Sequence, residues 1–339
     1  MQDKKPTSFI KRTFTTLAVV APILFGAAAA MVHIDNPDFS DAGPREPMSA
    51  QMVADLGFEQ KFSHEPHPFT VRDGTKIFGR KYASKNADTV IIQLHGVLAD
   101  GFQSNQFAGN IRNATNATVY SIDLRGHGMS GGKPGDLSYT DQYRDDVADI
   151  VKHVRTLHPD SKVMVAGHSM GGGILLRYAM MDDAPQVDGY ILFAPLLGQD
   201  APTMEQPNSV EKQSGGFMKV HIPRLIALGF LNIFGFDAWN HKPVMFFNLP
   251  EEAPLNTYSF NAAASMSPAH YKDGLQAIDK PLFVTIGSHD TTFNSMVYGP
   301  VVRNNTDGTF YLTEGASHNG VRHDKKAMEA LGKWIKANN

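Results

Sequence analysis

From residue 68 onward, short apolar runs alternate with stretches whose apolar residues recur every three or four positions. Thr89 to Leu94, Thr118 to Ile122, Val163 to Ala166, Tyr190 to Phe193, Leu282 to Ile286 and Thr309 to Leu312 are runs of the length expected of buried strands. Phe102 to Arg112, Ser138 to Leu157 and Gly171 to Met181 read as helices between them, with Val147, Ile150, Val151, Val154 and Leu157 sharing one face of the second. Ala327, Met328, Leu331, Trp334 and Ile335 mark a closing amphipathic helix. Asp73-Gly74, between Phe69-Thr70-Val71 and Ile77-Phe78-Gly79, signals a hairpin ahead of the first run. Strands alternating with helices predict an α/β fold with a mainly parallel sheet covered on both faces. Ligands in such sheets bind beyond the carboxyl ends of the strands.

Two intervals break the alternation. Residues 199–279 show no clear strand and are too long for a plain loop, so they read as a helical cap inserted into a core formed by 68–198 and 280–339. Within the cap, Leu225 to Phe236 is apolar nearly all round; such a segment either packs on the core or meets an apolar ligand or lipid. At the other end, Lys4, Lys5, Lys11 and Arg12 precede a stretch from Thr13 to Val32 without a charge, which closes on the small residues Ala27 to Ala30. Residues 1–34 therefore read as a cleavable signal peptide or as a membrane anchor long enough to span a bilayer. Either implies export of everything after residue 35, to the periplasmic or extracellular side. Residues 35–67, rich in Pro, Asp, Ser and Met, read as a linker.

Composition removes several classes of function. The 339 residues include no cysteine, which excludes a disulfide framework, a thiolate zinc site and a cysteine nucleophile. The formal net charge is −3 and no basic stripe is visible, so no nucleic-acid partner is expected. No two histidines pair with a carboxylate at metal-ligand spacing.

The chemistry falls at strand ends. Gly167-His168-Ser169-Met170-Gly171 follows one predicted strand and opens a predicted helix. That context makes it a candidate nucleophile elbow, with glycines permitting a tight turn and Ser169 at its tip. A serine hydroxyl needs a base. His318 follows the last strand and Asp290 follows the one before it, in the chain order serine, acid, histidine. His323 is the second candidate base; Asp273 and Asp279 precede their strand and lie at its wrong end. The oxyanion needs donors, for which the N–H groups of Met170 and Val97 are candidates, Leu98 being the neighbouring alternative. His95 and Gly96 are candidate substrate contacts, as are Leu225, Phe230 and Phe234 of the cap. The loop Asp123 to Gly131 reads as structural, with a buried charged contact.

Taken together, His95-Gly96, the Asp123 to Gly131 loop, Gly167 to Gly171, Asp290 and His318 resemble the α/β hydrolases of the monoacylglycerol lipase and lysophospholipase group, also filed as serine aminopeptidase-like, over roughly residues 68–338. The resemblance implies an eight-stranded sheet, a cap between the sixth and seventh strands, and no cofactor. It implies Ser169 as nucleophile, Asp290 as acid, His318 as base, and Val97 and Met170 as oxyanion donors. The expected partner is a lipid or other apolar acyl ester, with membrane contact through residues 13–32 and the cap. Two rival readings are open. An aminopeptidase would need cap carboxylates such as Glu205, Glu211, Glu251 or Glu252 to hold a substrate ammonium, and a non-catalytic binding protein would retain the fold alone.

Overall fold

Eight strands form the central sheet: β1 (Glu65–Pro66), β2 (Gly79–Tyr82), β3 (Thr89–Leu94), β4 (Thr118–Ile122), β5 (Lys162–His168), β6 (Gly189–Phe193), β7 (Leu282–Gly287) and β8 (Thr309–Thr313). The computed structural model describes residues 22–42, 48–85, 87–204, 216–250 and 252–338. The sheet order is β1-β2-β4-β3-β5-β6-β7-β8, with the pairs β1–β2 and β2–β4 antiparallel and every later pair parallel. All residues of β3, β4, β6 and β7 are buried, as expected of parallel strands covered on both faces. This is the α/β fold that the strand–helix alternation and the resemblance lead one to expect.

From β3 the chain crosses through α1 (Asn105–Thr115) to β4 on one side, then through α2 (Gln142–Leu157) to β5 on the other. Right-handed crossovers in opposite directions put the two helices on opposite faces. Helix α8 (Lys325–Asn338) packs with α1, and α3 (Met170–Ala179) with α2. The reversal of direction leaves a crevice between the carboxyl ends of β3 and β5, which are register partners through Leu94 and Gly167.

The insertion between β6 and β7 is not purely helical. It holds α4 (Ile222–Ile233), α5 (Phe260–Ser265) and α6 (Tyr271–Gln276), but also an antiparallel three-stranded sheet of Met218–Val220, Pro243–Phe247 and Thr257–Ser259. Strands of three to five residues are too short to show a clear period of two, which is why this sheet was not legible in the sequence. The remaining core helix, α7 (Ser295–Asn305), lies between β7 and β8.

Residues 48–66, expected as linker, are attached to the surface of the α/β domain. Helix Ala50–Asp55 packs against the short helical turn Gly320–Arg322, and β1 extends the sheet. The Asn105 carboxamide accepts from the N–H groups of Lys61 and Phe62 at 2.9 and 3.0 Å and donates to the Phe62 carbonyl at 2.7 Å. The N-terminal apolar stretch also finds a place in the fold. Residues 22–32 are helical and lie on α4, with Ala28 and Val32 in one apolar cluster with Ala227, Leu228 and Leu231. Residues 1–21, including Lys4, Lys5, Lys11 and Arg12, lie outside the described residues. Among the described residues no helix is long and apolar enough to cross a membrane.

Candidate active site

The turn from β5 to α3 places Ser169 at φ 52° and ψ −116°, a left-handed conformation that a non-glycine residue adopts only under constraint. The constraint is visible. Ser169 N–H donates to the Phe193 carbonyl at 3.0 Å, and the Ser169 carbonyl accepts from Leu196 at 2.9 Å and Gly173 at 3.2 Å. The flanking glycines are dictated by space. A Cβ on Gly167 would lie 2.5 Å from the Gly171 carbonyl carbon, and one on Gly171 would lie 2.7 Å from the His95 carbonyl oxygen. The elbow thus presses α3 directly against the end of β3. The N-terminus of α3 sits behind the serine, where its dipole favours negative charge. Among the described residues the Ser169 side chain has no hydrogen-bond partner.

Asp290 and His318 come from the ends of β7 and β8 and are brought together. His318 Nδ1 lies 2.7 Å from Asp290 Oδ2. The Asp290 side chain is fully buried, and its Oδ1 accepts from the N–H groups of Thr292 and Phe293, each at 2.8 Å. The turn that follows Asp290 and the imidazole contact are therefore met by different oxygens of one carboxylate, while Asn294 caps the helix beyond. The two loops are zipped together: His289 N–H donates to the Ala316 carbonyl at 3.0 Å and Gly315 N–H to Ser288 Oγ at 2.8 Å. Gly287 is required at this seam, since a Cβ there would lie 2.0 Å from the Ala316 oxygen.

His168 links this pair to the elbow. Its Nε2–H donates to the His318 carbonyl at 2.9 Å, and the two rings sit 4.9 Å apart. Burial holds His168 well below the usual histidine range, so it stays neutral and acts as a donor. On the far side, Ser317 Oγ donates to Asp55 Oδ2 at 2.6 Å, and Arg322 donates to the Asp55 carbonyl at 2.7 Å. The helix Ala50–Asp55 therefore braces the histidine loop. His323, the second candidate base, has neither ring nitrogen hydrogen-bonded and lies at the end of the helical turn that follows His318. Burial lowers it to about 4.

The loop after β3 approaches Ser169 from across the crevice. A Cβ on Gly96 would lie 3.2 Å from the Ser169 Cβ, so this glycine permits the approach. Leu98, at φ 59°, has its N–H committed to the Tyr258 hydroxyl at 2.8 Å. Of the two alternatives in this loop, Val97 alone keeps an N–H without a partner among the described residues. Tyr258 comes from the cap, and its hydroxyl also lies 2.9 Å from His127 Nε2. His127 Nδ1 faces the Arg125 carbonyl at 2.9 Å, so Nδ1 carries the proton and Nε2 accepts from the tyrosine. Burial, with the neighbouring His95, pushes His127 down to about 3.

His95 has a structural place. It is buried, with Nδ1–H donating to the Gly96 carbonyl at 2.8 Å and Nε2 accepting from Leu124 N–H at 3.0 Å. Both ring nitrogens are used, which removes it from the candidate substrate contacts; burial lowers it to about 4. The Asp123 to Gly131 loop holds the charged contact expected of it. Asp123 Oδ1 pairs with the buried Arg80 at 2.6 Å and accepts from Gly101 N–H at 2.6 Å, while Oδ2 accepts from Met129 N–H at 2.8 Å. It thereby fixes the far end of the loop that carries Val97.

Leu225 and Phe230 of α4, with Phe234 just after it, meet the N-terminal helix instead of the crevice: Phe25 lies against Phe230 and Phe234 at centroid distances of 5.5 and 5.1 Å. Of the cap carboxylates considered for an ammonium, Glu205, Glu211 and Glu251 lie outside the described residues, and Glu252 is exposed. Two surface cavities, of about 550 and 620 Å³, lie between α1 and α8 and beneath the cap beside Arg125; neither is lined by Ser169, Asp290 or His318. Among the described residues no group of histidines and carboxylates could hold a metal ion.

Sequence reasoning passed over Tyr258, Asp55 and His168 as site-shaping residues. Only His168 carried a local signal, its place beside Ser169.

Residues 85–323 match the family model Hydrolase_4, described as serine aminopeptidase. A monoacylglycerol lipase from Mycolicibacterium smegmatis is 30% identical over 135 residues, covering 35% of this chain and 48% of that protein. The match thus spans about half the length of that curated relative. Among solved structures, DcsB in complex with a substrate analogue superposes with a TM-score of 0.59 at 20% identity, covering 81% of this chain and 99% of that one. Est1E from Butyrivibrio proteoclasticus, solved with ferulic acid, gives 0.55 at 16% identity, covering 80% and 98%. At such identities the likeness shows the shared fold.

Proposed function

Because the chain belongs to the serine aminopeptidase family of α/β hydrolases, we propose that it is a serine hydrolase cleaving apolar, lipid-like carboxylic esters through an acyl-enzyme. Ser169 Oγ attacks the acyl carbonyl carbon while His318 Nε2 takes its proton. Asp290 holds Nδ1–H, which leaves Nε2 as the basic nitrogen, and stabilises the imidazolium that forms. The oxyanion is received by the N–H groups of Met170 and Val97. Collapse expels the alcohol, which takes the proton from His318. Water then repeats the sequence on the acyl-serine and releases the acid.

The observation that carries this reading is the buried Asp290 carboxylate, held by two backbone donors and hydrogen-bonded to His318 at 2.7 Å. A carboxylate so fixed orients an imidazole, and a binding module has no need of that. The ester class is supported by the monoacylglycerol lipase relative.

The test is labelling with a fluorophosphonate, with turnover of p-nitrophenyl esters from acetate to decanoate in parallel. Ser169→Ala should abolish labelling and lower turnover by about 10⁶-fold. Undiminished labelling of the variant would refute Ser169 as the nucleophile. Preference for acetate over decanoate would remove the lipid-like substrate class, and preference for an arylamide with a free N-terminus would move it to peptides.

A further inference from the structure

Helix α4 carries two polar side chains in its length, Arg224 and Asn232, and both are satisfied inside the protein. Asn232 exchanges hydrogen bonds with Asn240 at 2.7 and 2.8 Å and also donates to the Leu228 carbonyl. Arg224 is 3% exposed and has no carboxylate partner among the described residues. A guanidinium taken out of water must recover its hydration through hydrogen bonds. It does so on the N-terminal segment: Nε donates to the Val32 carbonyl at 2.9 Å, Nη2 to the Ile34 carbonyl at 2.6 Å, and Nη1 to Asn36 Oδ1 at 2.8 Å. A fourth bond runs from Nη1 to the Pro243 carbonyl at 2.7 Å. His221 lies against the same strap, with Nε2 within 3.2 Å of the Ile34 and Asp35 carbonyls. Val32 and Ile34 stand at the C-terminal end of helix 22–32, where the helix dipole is negative and a cation is favoured.

The outward side of this pair of helices has the opposite character. Ile226 and Ile233 on α4, Phe234 and Phe236 just after it, and Ile23 and Leu24 on the N-terminal helix are all exposed, Ile233 at 79%. No side chain of α4 other than Arg224 and Asn232 could bond to water, so nothing on this face requires it. In sequence, helix 22–32 directly follows the rest of the uncharged stretch that begins at Thr13, itself preceded by Lys4, Lys5, Lys11 and Arg12.

We propose that helix 22–32 stays on the mature chain as half of a two-helix platform with α4, and that this platform seats the cap against a lipid bilayer. Cleavage at the Ala27 to Ala30 segment would remove Phe25 from Phe230, Phe234 and Phe236, uncover Ala227, Leu228 and Leu231, and unmoor the strap that Arg224 and His221 hold. The retained helix thus joins α4 in holding the cap against the membrane surface.

Two measurements on the full chain test this. Intact-mass analysis of the mature protein should show residues 22–36 retained; a folded, soluble product beginning near Met31 would overturn the proposal. The chain lacks cysteine, so Ile226→Cys, Ile233→Cys and Leu157→Cys each accept a single environment-sensitive label. These positions are exposed, and Leu157 lies at the opposite edge of the sheet, at the end of α2 that leads into β5. In vesicles of phosphatidylcholine and phosphatidylglycerol, a lipid-borne quencher should extinguish the labels at 226 and 233 and leave the label at 157 bright. Equal, water-like emission at all three positions would overturn the platform, as would shielding at 226 and 233 that tracks dimer formation without lipid. Neither readout uses turnover, so fluorophosphonate labelling of the same samples tests the hydrolase reading separately.

Discussion

Tyr258→Phe removes a single oxygen that ties the cap to the loop carrying Val97. The hydroxyl accepts from Leu98 N–H at 2.8 Å and donates to His127 Nε2 at 2.9 Å, and phenylalanine can do neither. The ring itself is fully buried beside Phe247, so its packing is kept. Two polar atoms lose their partner, at about 1–3 kcal/mol each when buried. Leu98 is only half-buried, and water can reach part of its loss, so roughly 2–4 kcal/mol of stability should go. The kinetic consequence follows from φ 59° at Leu98, a conformation held in part by that hydrogen bond. Releasing it lets the adjacent Val97 N–H wander from the position of the developing oxyanion. Complete loss of one such donor costs about 10²–10³-fold in turnover, so a loosened one should cost on the order of 10-fold to 10²-fold. KM for a p-nitrophenyl ester should barely move, because the donor acts on the transition state. Steady-state kinetics with a thermal melt of the same sample decides the matter. A lowered Tm with unchanged kcat would make Tyr258 a packing residue and refute its hold on the oxyanion loop.

Three more outcomes follow from the same geometry. His95 and His127 are held neutral at about 4 and about 3, below the unfolded value of 6.5, so folding disfavours their protonation. The stability this represents is complete above about pH 6.5 and is lost as pH falls, by up to about 1.4 kcal/mol per pH unit for each histidine until its folded value is reached; melts between about pH 7.5 and 5 should show this steep fall, and a flat profile would refute it. Gly171→Ala should nearly abolish fluorophosphonate reactivity, because its Cβ would meet backbone oxygens of His95 and Leu94 at 2.7 and 2.8 Å, whereas Gly229→Ala on α4, with nothing within 4 Å, should be neutral or slightly stabilising; equal behaviour of the two would contradict the packed elbow. Asp55→Ala should release Ser317 and slow turnover by up to about 10²-fold through a misplaced His318, with partial rescue by Asp55→Asn; unchanged kcat would show that the histidine loop needs no brace.

How legible a residue was depended on how far away its partners lie in the chain. Ser169, Asp290 and His318 each follow a strand directly, and a parallel sheet gathers its carboxyl ends on one edge whatever the loops contain. Their candidacy could be read from order and position alone. The Asp123 to Gly131 loop was readable for a similar reason: an acid at a buried strand end requires a cation, and Arg80 supplies it. Tyr258 and Asp55 could not be read this way. Tyr258 meets Leu98 across 160 residues, and Asp55 meets Ser317 across 262. Nothing local to a tyrosine in a three-residue strand, or to an aspartate in a six-residue helix, names such a partner.

The N-terminal stretch marks the limit of hydropathy itself. A cleaved signal, a bilayer span and a helix docked on its own cap all demand an uncharged run, so the run from Thr13 to Val32 cannot choose among them. The discriminating residue lies in α4, nearly two hundred positions later. A single arginine in an otherwise apolar helix must either reach water or find acceptors, and Arg224 finds three of its four in residues 32–36. The sequence does contain that question, an unexplained charge within Ile222 to Ile233. Its answer is tertiary, because carbonyls at a helix end are acceptors that no residue type announces.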